Sequence, residues 1–237
     1  MSEQWESGHF FSSPQDGAIV VIGVASRQAG RWGNEVSDSE VALAKDHAAR
    51  KIALFYGISG TVESFHQQGA SFFDFIAESR IHLESPVSDH TQFIERLIFD
   101  PDTDIFVFGR GTLVRFRYAA NVSRVNFTGT ADKNGRPSWL NNFDFDIDGY
   151  AAAVGFSQNQ VWLRDTVTRA AESAAARLIK KMETKITTSV ADVLGQGSLT
   201  HITSTSSGVL NDFRIIEFWI DPVSMSVYTL GIARLAE

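Results

Sequence analysis

Three groups of residues in this chain have types and spacings that could do chemistry. Asp144-Phe145-Asp146-Ile147-Asp148-Gly149 puts carboxylates at alternate positions ahead of a glycine, the first half of a loop that turns its oxygens toward calcium. Such a loop needs a bidentate Glu at its twelfth position, and Gly155 stands there. Carboxylates alternating with Phe145 and Ile147 also describe a strand with one solvated face, which is the better account of the segment. Ser88-Asp89-His90 holds the residue types of a hydrolase triad, but neighbours in a chain do not converge and no Gly-x-Ser-x-Gly elbow is present. Gly109-Arg110-Gly111 and Gly195-Gln196-Gly197 suggest phosphate loops. Neither leads into a helix with the Lys-Ser/Thr that a phosphate cradle requires, so turns are expected.

The 6 histidines, His9, His47, His66, His82, His90 and His201, show no His-Glu-x-x-His spacing that would set two imidazoles on one helix face. His47 lies inside a helical pattern, where a surface or edge role is expected rather than metal ligation. Arg50 and Arg177 are expected to brace helices against sheets by charge-assisted hydrogen bonds. No catalytic, cofactor-binding or metal-binding residue is assigned on these grounds, and no cofactor is expected.

The elements that would carry these residues are legible in part. Ala18 to Ala25 is a short, mostly β-branched run and reads as a buried strand. Ser37-Asp38-Ser39-Glu40 has the spacing of a capping box, and Val41, Ala44, Ala48, Ile52 and Phe55 form an apolar stripe that Gly57 would end. Phe72, Phe73, Phe75 and Ile76 fit either a short helix or a strand. Phe93 to Phe99, an Asp100-Pro101 turn and Ile105 to Phe108 read as a hairpin, and Leu113, Phe116 and Tyr118 continue in sheet. Val122 to Thr128 and Trp139 to Phe156 read as two strands around Asn134-Gly135. A second helix is expected from Leu163 to Thr187, with Val167, Ala171, Ala174, Leu178 and Met182 on one face. Gly195 to Gly208 reads as loop with a short strand, and Phe213 to Ile220, Asp221-Pro222 and Val227 to Ile232 form a closing hairpin.

Composition narrows the class. With 237 residues, 43% hydrophobic and 21% charged, the chain suits one large core or two small ones. A net charge of −7 without a Lys/Arg block argues against nucleic acid as a partner. The absence of cysteine excludes disulfides and thiolate chemistry. No apolar run approaches the length of a membrane span.

The pattern occurs twice. Ile22-Gly23-Val24-Ala25-Ser26 precedes a helix with Ala44, Ala48, Ala49, Arg50 and Ile52. Val154-Gly155-Phe156-Ser157 precedes one with Ala171, Ala175, Ala176, Arg177 and Ile179. Each half then reaches an Asp-Pro turn. The fold class expected is α+β: two similar units, each an antiparallel sheet with an Ala-rich helix on one face. The boundaries are a flexible leader at 1–16, a first unit at 17–119, a hairpin insertion at 120–148 and a second unit at 149–237.

These motifs, together with Trp219, Asp221, Pro222, Val227, Tyr228 and Leu230, resemble the LPP20-type lipoprotein family. That family includes bacterial envelope lipoproteins and the N-terminal domain of a flagellar outer-membrane-associated protein. The resemblance implies a small sheet with a helix packed across it and a setting in the periplasm or outer membrane. It supplies no catalytic residues. Met1 to Ser7 lack a signal peptide and the lipidated cysteine is missing, so membrane association would rest on an anchor outside this chain. The function expected is therefore non-enzymatic, structural or protein-interacting, with other envelope proteins as partners. The alternative is a periplasmic small-ligand or lipid-binding protein with an aromatic-lined cavity.

Overall fold

The structure, a computed structural model, describes residues 9–11, 17–27, 35–68, 75–122, 124–127, 131–132, 135–141, 145–187 and 200–234. The β-branched run forms β2 (Ala18–Ser26), buried along nearly its whole length. Two strands, β5 (Ile105–Phe108) and β6 (Gly111–Ala119), complete an antiparallel sheet in the order β2-β6-β5. Helix α1 (Asp38–Phe55) starts at Ser37, whose side chain accepts from the Glu40 N–H while the Glu40 carboxylate accepts from the Ser37 N–H. Gly57, with φ of 144°, follows its last turn. Ala44, Ala48, Ala49 and Ile52 of α1 pack on Ile19, Val21, Val114 and Phe116.

The second unit repeats this plan. Strand β8 (Tyr150–Ser157) leads into α3 (Leu163–Thr187), then β9 (Thr200–Ile220) and β10 (Val227–Arg234), paired antiparallel in the order β8-β10-β9. The chain is thus α+β, with two similar units that each pack an Ala-rich helix on an antiparallel sheet. Two glycines fix the correspondence. A Cβ on Gly23 would lie 1.9 Å from the Ala44 carbonyl oxygen, and one on Gly155 would lie 2.0 Å from that of Ala170. Each helix backbone rests directly on its first strand, which no side chain at those positions would permit. Matching Ala44 with Ala170 pairs Lys51 with Arg177 and Arg50 with Ala176, one residue away from the alignment of the two Ala-rich motifs.

Several expectations give way to the structure. Phe93 to Phe99 is not a strand: Thr91–Ile94 form a single helical turn, α2, and only Ile98 makes a bridge, to Arg117. The Asp100-Pro101 turn therefore joins no hairpin. The buried Asp104 carboxylate accepts from the Asp100 N–H at 2.9 Å and from Arg115 Nε at 2.7 Å, closing the turn on itself. The hairpin of the first unit turns at Gly109-Arg110, which corresponds to Asp221-Pro222 in the second.

Two further strands, β3 (Ile58–Gln68) and β4 (Phe75–Glu84), form a hairpin that leaves its own unit. β3 pairs with β9 from Ile58 opposite Leu210 to Gln68 opposite Thr200. The Ser/Thr-rich stretch read as loop is consequently ladder over its whole described length, because a partner strand satisfies its backbone. Phe72 and Phe73 lie outside the described residues. The leader is not wholly loose either. His9–Phe11 form β1 on β9, and the ring of Phe10, fully buried, stacks on Phe218 at 4.8 Å.

The 120–148 insertion is not a two-stranded hairpin about Asn134-Gly135, where the described residues hold only one bridge, Ala131 to Pro137. Trp139 and Leu140 sit in a 3-10 turn (Ser138–Asn141), and β7 (Phe145–Ile147) pairs with β8 through Asp148-Gly149. Both turn residues have positive φ, 48° and 79°, the geometry of a type I′ turn.

The layers follow from these pairings. Ile22 and Val24, on the face of β2 away from Ile19 and Val21, pack with Leu163, Val167 and Ala170 of α3. Farther along, α3 lays Ala175, Leu178 and Ile179 on the second sheet. The other face of that sheet is covered by Val125, Trp139 and Leu140 of the insertion.

Candidate functional site

The structure does not gather the candidate groups read from the sequence. Asp144 lies outside the described residues, and Asp148 accepts from the Asn126 N–H at 2.7 Å while serving the β7–β8 turn. Among the described residues, no cluster of three His, Cys, Asp or Glu side chains could hold a metal. Asp89 accepts from the N–H and hydroxyl of Thr91, and His90 turns to Asp46 of α1 at 2.7 Å, so neither meets Ser88. His82 pairs with Glu84 at the surface. The side chains of His9, His66 and His201, and the segment Gly195-Gln196-Gly197, lie outside the described residues.

Arg50 departs from expectation as well. Arg50 is 62% exposed and pairs with Asp46 of its own helix at 3.0 Å, so it braces no sheet. Arg177 is also exposed. The bracing falls to the next residue, Lys51, whose ammonium donates to the Ile22 carbonyl at 2.9 Å and lies 5.5 Å above the Phe218 ring.

His47, expected in a surface or edge role, is buried beside it and meets the edge of β2. Its Nδ1 accepts from the Val24 N–H at 3.0 Å, and its Nε2 lies 3.3 Å from Thr168 Oγ1 on α3. A backbone amide can only donate, so Nδ1 carries no proton and the imidazole is neutral. Thr168 Oγ1 donates to the Arg164 carbonyl at 2.9 Å, which leaves its lone pairs for the Nε2 proton. Burial holds the His47 pKa well below its ordinary value, and the charges of Lys51, Arg164 and Arg50 push in the same direction. Burial also lowers Lys51, to about 7. One turn apart on α1, these two side chains take up the Ile22 C=O and the Val24 N–H, which point away from β6 along the free edge of β2.

A third polar group lies across the seam on β9. Arg214 Nε and Nη2 donate to the two carboxylate oxygens of Asp212 at 2.7 Å each, and Nη2 also donates to the Tyr150 hydroxyl at 3.0 Å. Its guanidinium lies 5.3 Å over the Phe55 ring of α1. Arg234 joins the same carboxylate at 3.2 Å.

Between Lys51 and Arg214 is a cavity of ≈ 40 Å³, lined by Val20, Ile22, Phe55 and Phe218 among others. Small-molecule sites have volumes of about 300 to 1,000 Å³, so this space suits water rather than an organic ligand. A groove of ≈ 530 Å³ on the β3, β4 and β9 ladder is open and polar, bounded by Ser59, Thr61, His82, Glu84, Ser207 and Val209. It has no aromatic lining.

Sequence reasoning missed Lys51, Asp212 and Arg214. Lys51 carried one signal, its position four residues after His47 on a helix, which puts both on one face. Nothing local marks Arg214, because its role depends on contacts with Tyr150 and Phe55, which are remote in the chain. The fold and site define a two-unit α+β protein in which Lys51, Asp212 and Arg214, charged groups at the seam, are tied into its own structure. Comparison with protein-family models, with curated proteins and with solved structures finds no match for this chain.

Proposed function

We propose that this protein is a non-enzymatic component of the bacterial cell envelope, built from two LPP20-like units and serving a structural or protein-interaction role. The observation that carries this reading is that the glycines and alanines behind the resemblance are engaged in packing. Gly23 and Gly155 receive the helix backbones, and Ala44, Ala48, Ala49, Ala171, Ala175 and Ala176 fill the helix–sheet contacts. The charged side chains of the seam are likewise held by structural partners rather than aimed at a shared cleft.

An interaction surface fits the second sheet. Phe156, Tyr228 and Trp219 stand in register across β8, β10 and β9, with ring centroids 4.9 Å and 5.6 Å apart, and Phe156 is exposed. Aromatic rings at a partly wet surface are the side chains most often used as protein anchors. On this reading the partners are other envelope proteins. Cell fractionation combined with a photo-crosslinking residue at position 156 tests it. Recovery with the envelope and a discrete crosslink to an envelope protein are expected, whereas a cytosolic protein without crosslinks would overturn the proposal.

A further inference from the structure

We propose that the seam between the two units loosens on mild acidification, with His47 as the group that senses the proton. The seam is where α1 and β2 of the first unit meet α3 and β9 of the second. His47 bonds two of these neighbours at once, the β2 backbone through Val24 and α3 through Thr168. The Val24 contact depends on a neutral ring, whereas the Nε2 proton that reaches Thr168 is present in either state. A proton on Nδ1 would confront the Val24 N–H donor to donor, and a buried donor left without an acceptor is costly.

Charge acts in the same direction. From its own helix His47 faces Lys51 and Arg50, and from α3 it faces Arg164. Asp46, the neighbouring carboxylate on α1, is already bonded by Arg50 and by His90. β2 presents only backbone to the ring, and Arg214, the cation of β9 lining the adjacent cavity, is held by Asp212. Protonated His47 would therefore join the charges of Lys51, Arg164 and Arg50. The least costly response is for α1 to lift from the β2 edge, which lets water reach the imidazole and Lys51. The second unit ties its helix to its sheet by a different bond. There the hydroxyl of Thr229 donates to the Ala170 carbonyl at 2.9 Å, a bond that does not titrate in this range.

The sign follows from linkage. The folded protein holds His47 unprotonated below the pH at which the unfolded chain takes up its proton. The contribution of His47 to the seam is complete above about pH 6.5 and declines as the pH falls below it. The test is amide hydrogen exchange followed by NMR at pH 7.5 and pH 5, corrected for intrinsic exchange. The protection of Val24 is expected to fall at least about tenfold relative to that of Leu230, which lies in β10 away from the seam. In His47→Gln the side-chain oxygen can accept the same N–H without titrating, so the ratio should stay constant. A constant ratio in the wild type overturns the proposal, and so does an equal fall in the variant. Should the variant fail to fold, the wild type decides alone. Its His47 ring signals must titrate at the pH where Val24 loses protection, and separate midpoints sink the idea.

Discussion

β2 and β8 hold the same place in the two units, yet the chain covers their outer edges by different means. Against β8 it lays another strand: β7 pairs along Tyr150 to Ala152 and makes a backbone ladder. Over β2 it lays side chains, with Lys51 on the Ile22 carbonyl and His47 on the Val24 N–H. An exposed strand edge invites pairing with other chains, so both devices meet the same need. They differ in chemistry. A backbone ladder is indifferent to pH, whereas side-chain cover buries two ionisable groups, each held below its ordinary pKa. The repeat therefore conserves geometry and changes how that geometry responds to its surroundings.

The largest expected effects fall on what the units share. Gly23→Ala and Gly155→Ala each drive a methyl into a helix backbone, and either should cost at least about 3 kcal/mol in urea denaturation. Gly60→Ala meets side-chain tips, Leu83 Cδ2 at 2.5 Å and Ile179 Cδ1 at 2.8 Å, which can turn aside. It should cost about 1 kcal/mol. Equal losses at all three positions would show that the helix–strand contact is not what the two units have in common.

The turns come next, and here the units diverge. Asp104 is fully buried, and Asp104→Ala strands both Arg115 and the Asp100 N–H, a loss of about 2 to 3 kcal/mol. Asp221 accepts from the Val223 N–H and the Ser224 hydroxyl at a partly exposed turn. Asp221→Ala should cost about 1 kcal/mol. The reverse ranking would mean that the two Asp-Pro segments do equivalent work after all.

How far the sequence reveals this molecule depends on how local each signal is. The capping box at Ser37 and Glu40 and the extent of α3 are set by neighbours a few residues apart, and both are legible. The departure of β3 and β4 to the second sheet depends on partners more than a hundred residues away, and no periodicity encodes that. Asp148-Gly149 carries a type I′ signal openly, but the same carboxylates also suggest a cation loop. Only the pairing of Ile147 with Tyr150 separates the two. Alanine-rich helices align with each other in several registers, and the glycine contacts are what place Lys51 opposite Arg177.

Lys51 gives a pH test independent of histidine. Burial lowers its pKa in the folded protein to about 7 from the ordinary 10.5, so between those values the unfolded chain binds more protons than the folded one. Stability should rise with pH across that range and flatten below it. Lys51→Met removes the titration and should flatten the slope between pH 7 and pH 9 in urea midpoints. An unchanged slope would show that the ammonium is well solvated and that the β2 edge is covered some other way.

The smallest effect is expected at Arg50, the residue that the repeated motif singles out. Its partner is Asp46 one turn earlier on the same helix, and most of its side chain is in water. Exposed pairs at this spacing contribute about 0.3 to 0.5 kcal/mol, and salt screens them. Arg50→Ala should therefore lower stability by no more than about 0.5 kcal/mol, with the difference vanishing in about 1 M salt. A larger, salt-insensitive loss would mean that Arg50 reaches the sheet in solution. Lys51 would then share the edge of β2, and the contrast between the two units would shrink to the single contact made by His47.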